Sequence, residues 1–210
     1  PPFMPCGRDS YHVVHTAKAN RLDAETACRD HFVGIWGARA ANRGDLARVT
    51  SVHDNTALNA AVLAAGTKAA KGNVCLWLGG GMGQFANPNV PNYVANSQFW
   101  HWGNYMTTDM QWHGQRGNLG SGTADIWMGY NGWSSTATDV KYPCYSNSQT
   151  LPCWGNHPTM VYCITDDANN GKWATQDPSL SDYYICMQSC ENEVGYVGQG
   201  AGRRLTEEAP

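Results

Sequence analysis

The residues most able to do covalent chemistry in this 210-residue chain are its eight cysteines. They stand at Cys6, Cys28, Cys75, Cys144, Cys153, Cys163, Cys186 and Cys190, and no pair has the Cys-x-x-Cys spacing of zinc ribbons or redox motifs. An even, high count in that arrangement reads as up to four disulfides formed in an oxidising compartment. The seven histidines include His101, His113 and His157 among aromatic residues. None forms a helical His-x-x-x-His pair, so they read as exposed or hydrogen-bonded loop histidines, and no metal site is expected from them. Asp166, Asp167, Asn169 and Asn170 offer oxygens, but Ala168 holds a position where an EF-hand needs a ligand and no Glu follows at the required distance. The cluster reads as a solvated turn.

Catalytic signatures are thin. A nucleophilic enzyme needs Ser or Cys beside a base; there is no Gly-x-Ser-x-Gly, and the cysteines read as structural. Residues 79–160 hold only Asp109, Asp125 and Asp139 and no Glu, which leaves little for a glycosidase carboxylate pair. Gly79-Gly80-Gly81-Met82-Gly83 follows a strand pattern, yet no helical pattern or Lys-Ser/Thr follows it, so it is a weak phosphate signal. The sequence therefore predicts no catalytic residues and no enzyme. Aromatic rings are the stronger theme. Trp112, Trp127, Trp133 and Trp154, with Tyr130 and Tyr145, are candidates for exposed rings, which stack on sugars and anchor protein interfaces. The same rings would equally serve to pack a long loop onto the domain, since such a loop must bury something to stay ordered.

Composition agrees with a folded, loop-rich chain. Apolar residues make up 42% and charged residues 15%, with a net charge of −3, so the signature of disorder is absent. Basic residues cluster no further than Arg203-Arg204, and no nucleic-acid partner is expected. Nine Trp, ten Tyr and 23 Gly against four Phe suit a β-rich surface with polar-edged rings. No apolar run reaches the ~18–20 residues of a spanning helix; Leu58 to Ala65 is too short. Pro1-Pro2-Phe3-Met4-Pro5 lacks the pattern of a signal peptide, so the chain is expected to start after cleavage or to be an excerpt of something longer.

The positioning elements follow. Tyr11 to His15 predicts a strand. Leu22 to Phe32 predicts a helix capped by Asp23 or Asn20. Ser51 precedes a second helix in which Ala57, Leu58, Ala61, Val62 and Ala65 share a face and Gly66 ends the run. Cys75 to Leu78 predicts a compact strand. From there to about Leu151, Trp residues are spaced among turn residues, predicting short strands and long ordered loops. Met160–Thr165 and Lys172–Ala174 predict a hairpin through Asp166–Gly171, and Asp182–Met187 a last strand. Helices first and strands after indicate an α+β class. Residues 1–10 read as an N-terminal segment pinned by Cys6, 11–190 as one domain, and 191–210 as a flexible tail or linker.

In this order the elements resemble the C-type-lectin-like domains. Ala24-Glu25-Thr26-Ala27-Cys28 is similar to that family's first helix with its Cys. Leu46-Ala47-Arg48-Val49-Thr50-Ser51 is similar to the approach to the second helix. Leu76-Trp77-Leu78-Gly79-Gly80 resembles the core strand, Phe99-Trp100-His101-Trp102-Gly103-Asn104 the following Trp-x-Trp phrase, and Gly171-Lys172-Trp173 with Tyr183-Tyr184-Ile185-Cys186 the closing hairpin and strand. The resemblance runs over roughly 10–190. It implies two helices packed on short antiparallel sheets, a long loop region at about 79–160, and a Cys28–Cys186 disulfide joining the first helix to the last strand. Trp77, Trp102 and Trp173 would lie under the loops.

The resemblance also marks departures. Calcium-dependent sugar binding in that family uses a Glu-Pro-Asn or Gln-Pro-Asp loop and a Trp-Asn-Asp strand, because Ca²⁺ takes 6–8 oxygens. The matching positions here are His157-Pro158-Thr159 and Trp173-Ala174-Thr175, so no calcium cofactor is expected, although His157 and Thr159 remain candidate ligand-binding residues. The family's usual partner for the cysteine at Cys163 is missing. Cys163 is left with Cys75, Cys144, Cys153 or Cys190, or remains free; Cys144 with Cys153 would staple their own loop, and Cys6 with Cys190 would join the ends. What the resemblance implies is an extracellular or cell-surface, non-enzymatic binding or adhesion module. Its partner would be an extracellular protein, another copy of the chain in a larger assembly, or a glycan held without calcium by the loop aromatics.

Overall fold

The computed structural model of the chain describes residues 4–82, 99–103, 110–115, 126–127, 130, 132, 159–168 and 170–190. In chain order the elements are β1 (His12–Ala19), α1 (Arg21–Trp36), β2 (Gly44–Leu46), α2 (Val52–Ala64), α3 (Thr67–Lys71), β3 (Val74–Met82), β4 (Phe99–Gly103), β5 (Met110–Gln115), β6 (Ile126–Trp127), β7 (Thr159–Ile164), β8 (Lys172–Gln176) and β9 (Asp182–Gln188).

Both main helices start on side-chain caps, as their sequences ask. Asn20, not Asp23, caps α1: its Oδ1 accepts the Asp23 N–H at 2.9 Å. The helix runs one turn beyond the expected end. That turn leaves Val33 and Ile35 exposed, so the sequence pattern there carries no apolar face. Ser51 caps α2 in a reciprocal box with Asp54, Leu58 and Val62 are buried, and Gly66 follows in the left-handed region at φ 65°. The single turn α3 and the three-residue β2 are too short to leave a periodic signal.

The expected short sheets merge into one. Its main path is β1-β9-β3-β4-β5-β6, with β2 on β9, β7 on β3 and β8 on β7. All pairs are antiparallel except β3 with β9, where Leu76 and Trp77 lie beside Tyr183 and Tyr184. Helices cover both faces. On one side α1 contributes Ala24, Cys28 and Phe32 to a core with Leu46, Trp77, Val161 and Cys186. On the other, Leu58 and Val62 of α2 meet Leu76, Leu78, Met160, Tyr162, Ile185 and Met187. Adjacent strand residues thus enter opposite cores, which is why β7 is buried along its whole length. Gly79 has no alternative. A Cβ there would sit 2.7 Å from the Leu46 carbonyl oxygen, because the Gly79 N–H donates to Ala47 at 2.8 Å.

Three disulfides tie this sheet: Cys28–Cys186, Cys6–Cys190 and Cys75–Cys163. The first joins α1 to β9 and the second brings the described ends together. The third takes one of the partners left open by the sequence. Cys144 and Cys153 lie outside the described residues.

Two charged features sit in this frame. Arg21 and Glu25, one turn apart on α1, pair at 3.0 Å with side chains 3% and 0% exposed. Nearby Asp45 is buried, and desolvation pushes its carboxyl above the usual range against the guanidiniums of Arg48 and Arg21. Breaking a buried pair from one side strands the other charge. Arg21→Met is therefore expected to lower the unfolding free energy by about 3–5 kcal/mol in urea titration.

Between β1 and α1, the His12 and His31 rings stack with centroids 3.9 Å apart and an 11° interplanar angle. Burial lowers both their pKa values from 6.5, and for His12 the neighbouring His31 charge lowers it further. A depressed folded-state pKa means that the unfolded chain binds protons more readily. The contribution is therefore present above pH ~6.5 and lost as pH falls through the folded values. Denaturation midpoints measured from pH 7.5 to 5 are expected to fall, and His12→Phe with His31→Phe to flatten that slope.

Candidate functional site

Between β3 and β7 the chain runs through β4, β5 and β6, which extend the sheet beyond β3, and the described parts of that excursion show how it is seated. Trp173 of β8 is the seat. It is fully buried, with the Trp102 ring of β4 edge-on at 5.4 Å and the Tyr130 ring edge-on at 5.5 Å. Such T-shaped contacts place a positive ring edge against a negative ring face. Backbone bonds fix the same point: the Trp173 N–H donates to Gly132 at 2.7 Å, and the Tyr130 N–H donates to Thr50 at 3.0 Å. Thr50 is itself held by Asp54, whose Oδ2 accepts from its N–H and its hydroxyl at 3.0 and 2.9 Å. The α2 cap and the loop anchor are one network.

Of the two readings left open for its ring, Tyr130 follows the packing one rather than the exposed one. It is half-buried and packed on the α2-side core. Its neighbour Tyr162 donates its hydroxyl to Asn59, and its pKa is pushed up to about 12 by burial and then by Tyr130, so it remains a proton donor at any physiological pH. Gly132 and Thr50 carry no signal in the sequence, because a backbone carbonyl accepts a bond whatever its side chain. The one available hint was the glycine itself, next to an aromatic-rich stretch.

The other candidate residues fall as follows. Trp112 lies in β5 opposite His101 of β4, beside a register irregularity, and Trp127 lies in β6 opposite Gly114 of β5. Trp127 thus stands opposite a residue two positions along β5 from Trp112. Thr159 opens β7 on the far edge of β3, opposite Gly81 and Gln176. It is 1% exposed, and its hydroxyl donates to the Gln176 carbonyl at 2.6 Å. Trp133, Trp154, His157 and Tyr145 lie outside the described residues. In the turn after β7, Asp166 pairs with Lys68 at 2.8 Å, and hydrogen bonds from Lys68 and then Asn73 hold its carboxyl below the usual range. Asp167 accepts the Thr165 hydroxyl at 2.6 Å. Among the described residues no three His, Cys, Asp or Glu side chains converge on one point, and no helix is long and apolar enough to cross a membrane.

An opening strand paired with the last, a first helix bridged to that last strand, a second helix on the opposite face and a Trp-bearing hairpin behind a long excursion define a C-type-lectin-like fold. No family model and no curated protein sequence matches the chain. Solved structures similar to it include human lithostathine, at 15% identity with 86% of this chain and 83% of that one covered and a TM-score of 0.45. Ovocleidin-17, a major protein of the Gallus gallus eggshell calcified layer, is 15% identical over 86% of this chain and 91% of its own, TM-score 0.45. A Ca²⁺-dependent type II antifreeze protein in its Ca²⁺-free form is 17% identical over 85% and 90%, TM-score 0.44.

The seating of the excursion has a direct test. A Cβ at Gly132 would lie 2.3 Å from the Trp173 ring, so Gly132→Ala must displace either the segment or the ring. Amide exchange at Tyr130 and Trp173 is expected to speed up by about tenfold or more with helical circular dichroism unchanged. Unaltered exchange would place the anchor elsewhere.

Proposed function

We propose that this chain is a non-enzymatic binding module of an extracellular assembly, whose long β3–β7 excursion engages another protein, a second copy of the chain among the candidates, without calcium. The observation that carries the reading is the contrast between platform and excursion. The platform is a sheet covered on both faces and tied by three disulfides. Onto it the excursion is seated through Trp102, Tyr130 and Trp173. A rigid base carrying a segment rich in Trp, Asn and Gly suits recognition, where a few large rings supply most of the contact energy. Disulfides at this density suit an oxidising, extracellular setting.

The calcium-free part of the reading draws on the donors. Thr159 gives its hydroxyl to the strand beside it, Ala174 and Thr175 stand where carboxamide and carboxylate ligands would be needed, the Asp166 carboxylate is paired with Lys68 of α3, and Asp167 serves its own turn. Among these described residues a hard cation asking for 6–8 oxygens has few to gather.

Sedimentation velocity of the isolated chain, with and without EDTA, together with a glycan array under the same two conditions, tests this. Chelator-insensitive self-association by about 100 µM, weakened about tenfold by Trp112→Ala or Trp127→Ala, is the expected outcome. A chain that stays monomeric and binds sugars only with calcium would falsify the proposal, and chelator-insensitive sugar binding would shift it to a glycan module.

A further inference from the structure

We infer that Arg43-Gly44-Asp45, a tripeptide that cell-adhesion receptors read wherever a protein exposes it, is closed in the native domain and becomes readable only when α1 and β9 separate. The inference goes beyond the proposed function and does not rest on it, because the tripeptide lies in the covered sheet and not in the β3–β7 excursion.

Residues 43–45 are the one Arg-Gly-Asp in the chain. Receptors of that kind ask three things of it. The guanidinium must be free to enter an acidic pocket, the backbone must turn so that both side chains stand out, and an ionised carboxylate must complete the shell of a receptor-bound divalent cation. The chain just ahead of it suits such a display. Ala41 and Asn42 are exposed, and Asn42 turns in the left-handed region at φ 61°. The next three residues are buried.

Each member is already used by the fold. Arg43 is 8% exposed. Its Nε donates to the Ser189 carbonyl at 3.0 Å, and its own carbonyl accepts the Ser189 N–H at 2.8 Å. Gly44 lies against α1. A Cβ there would stand 2.7 Å from the Cys28 carbonyl oxygen and 2.8 Å from the Arg29 Cα, so the glycine serves a close approach of two backbones. Asp45 is 6% exposed, and its Oδ1 accepts the Leu46 N–H at 2.7 Å. Desolvation outweighs Arg48 and Arg21 and holds its carboxyl above the usual range. A receptor's cation would meet no free carboxylate.

The backbone is enclosed as well. Gly44, Asp45 and Leu46 pair with Gln188, Met187 and Cys186 of β9. The Cys28–Cys186 bridge joins the helix residue beside Gly44 to the strand residue opposite Leu46. Arg43 is held from Ser189, one residue past β9, and Gly44 from α1. Presenting the tripeptide therefore requires the two covering elements to part. An unfolded chain presents it as a short peptide would.

Competition against a labelled Gly-Arg-Gly-Asp-Ser peptide for a purified Arg-Gly-Asp-reading receptor in Mg²⁺ tests this, with the intact chain and the reduced, alkylated, unfolded chain as competitors. The unfolded chain is expected to compete. The intact chain should need a concentration about a hundredfold or more higher, because only the fraction of molecules presenting the tripeptide can bind. Asp45→Glu, read in the unfolded chain so that folding does not enter, is expected to abolish competition by lengthening the arm that reaches the cation. An intact chain that competes within about threefold of the unfolded one would overturn the closure. An unfolded chain that fails to compete, or competes equally well with Asp45→Glu, would overturn the reading of the tripeptide.

Discussion

The structure depends on the last strand being held in the middle of the sheet. β9 takes β1 and β2 on one side and β3, in parallel, on the other, so residues from opposite ends of the chain must meet before any core exists. Such long-range closure is the entropically demanding part of folding. The Cys28–Cys186 bridge removes much of that freedom from the unfolded chain, on the order of 4–5 kcal/mol in chain-entropy terms. With β9 fixed, α1 and α2 have opposite faces to cover, and alternate residues of β3, β7 and β9 fill two separate cores.

The same constraint explains why so long an excursion is tolerated. Its two ends leave and rejoin neighbouring strands, and the cost of closing a loop grows only slowly with its length. What it needs is a few points of attachment. Trp173 supplies one by taking two ring contacts and a backbone carbonyl from the excursion, and the pairing of β4 with β3 supplies another.

Most of the frame was legible in the sequence because its signals are local. Ser51 with Asp54, the continuous apolar run of 160–164 and the Leu-Trp-Leu-Gly-Gly run each report a short-range preference. The merger of the strands into one sheet was not legible, since strand pairing is chosen between distant segments. Nor was the Cys163 partner: spacing carries no connectivity. At the candidate site, Trp112 and Trp127 were named by type, and the β5–β6 ladder places Trp127 opposite Gly114, two residues from Trp112. Both readings of Tyr130 stayed open in the sequence, because a ring in a Gly-rich stretch has no local mark of what it packs against; the structure makes it part of the anchor.

By itself, then, the sequence determined the residue types, the helix caps, the strand periodicities and the C-type-lectin-like order of elements, all of which follow from interactions over a few positions. Only the tertiary structure decided which face each strand residue serves, which sulfurs meet across β3 and β7, and that Gly132 and Thr50 hold the excursion. Those outcomes depend on backbone groups and side chains far apart in the chain arriving within a few ångströms of each other, and no local pattern encodes that arrival.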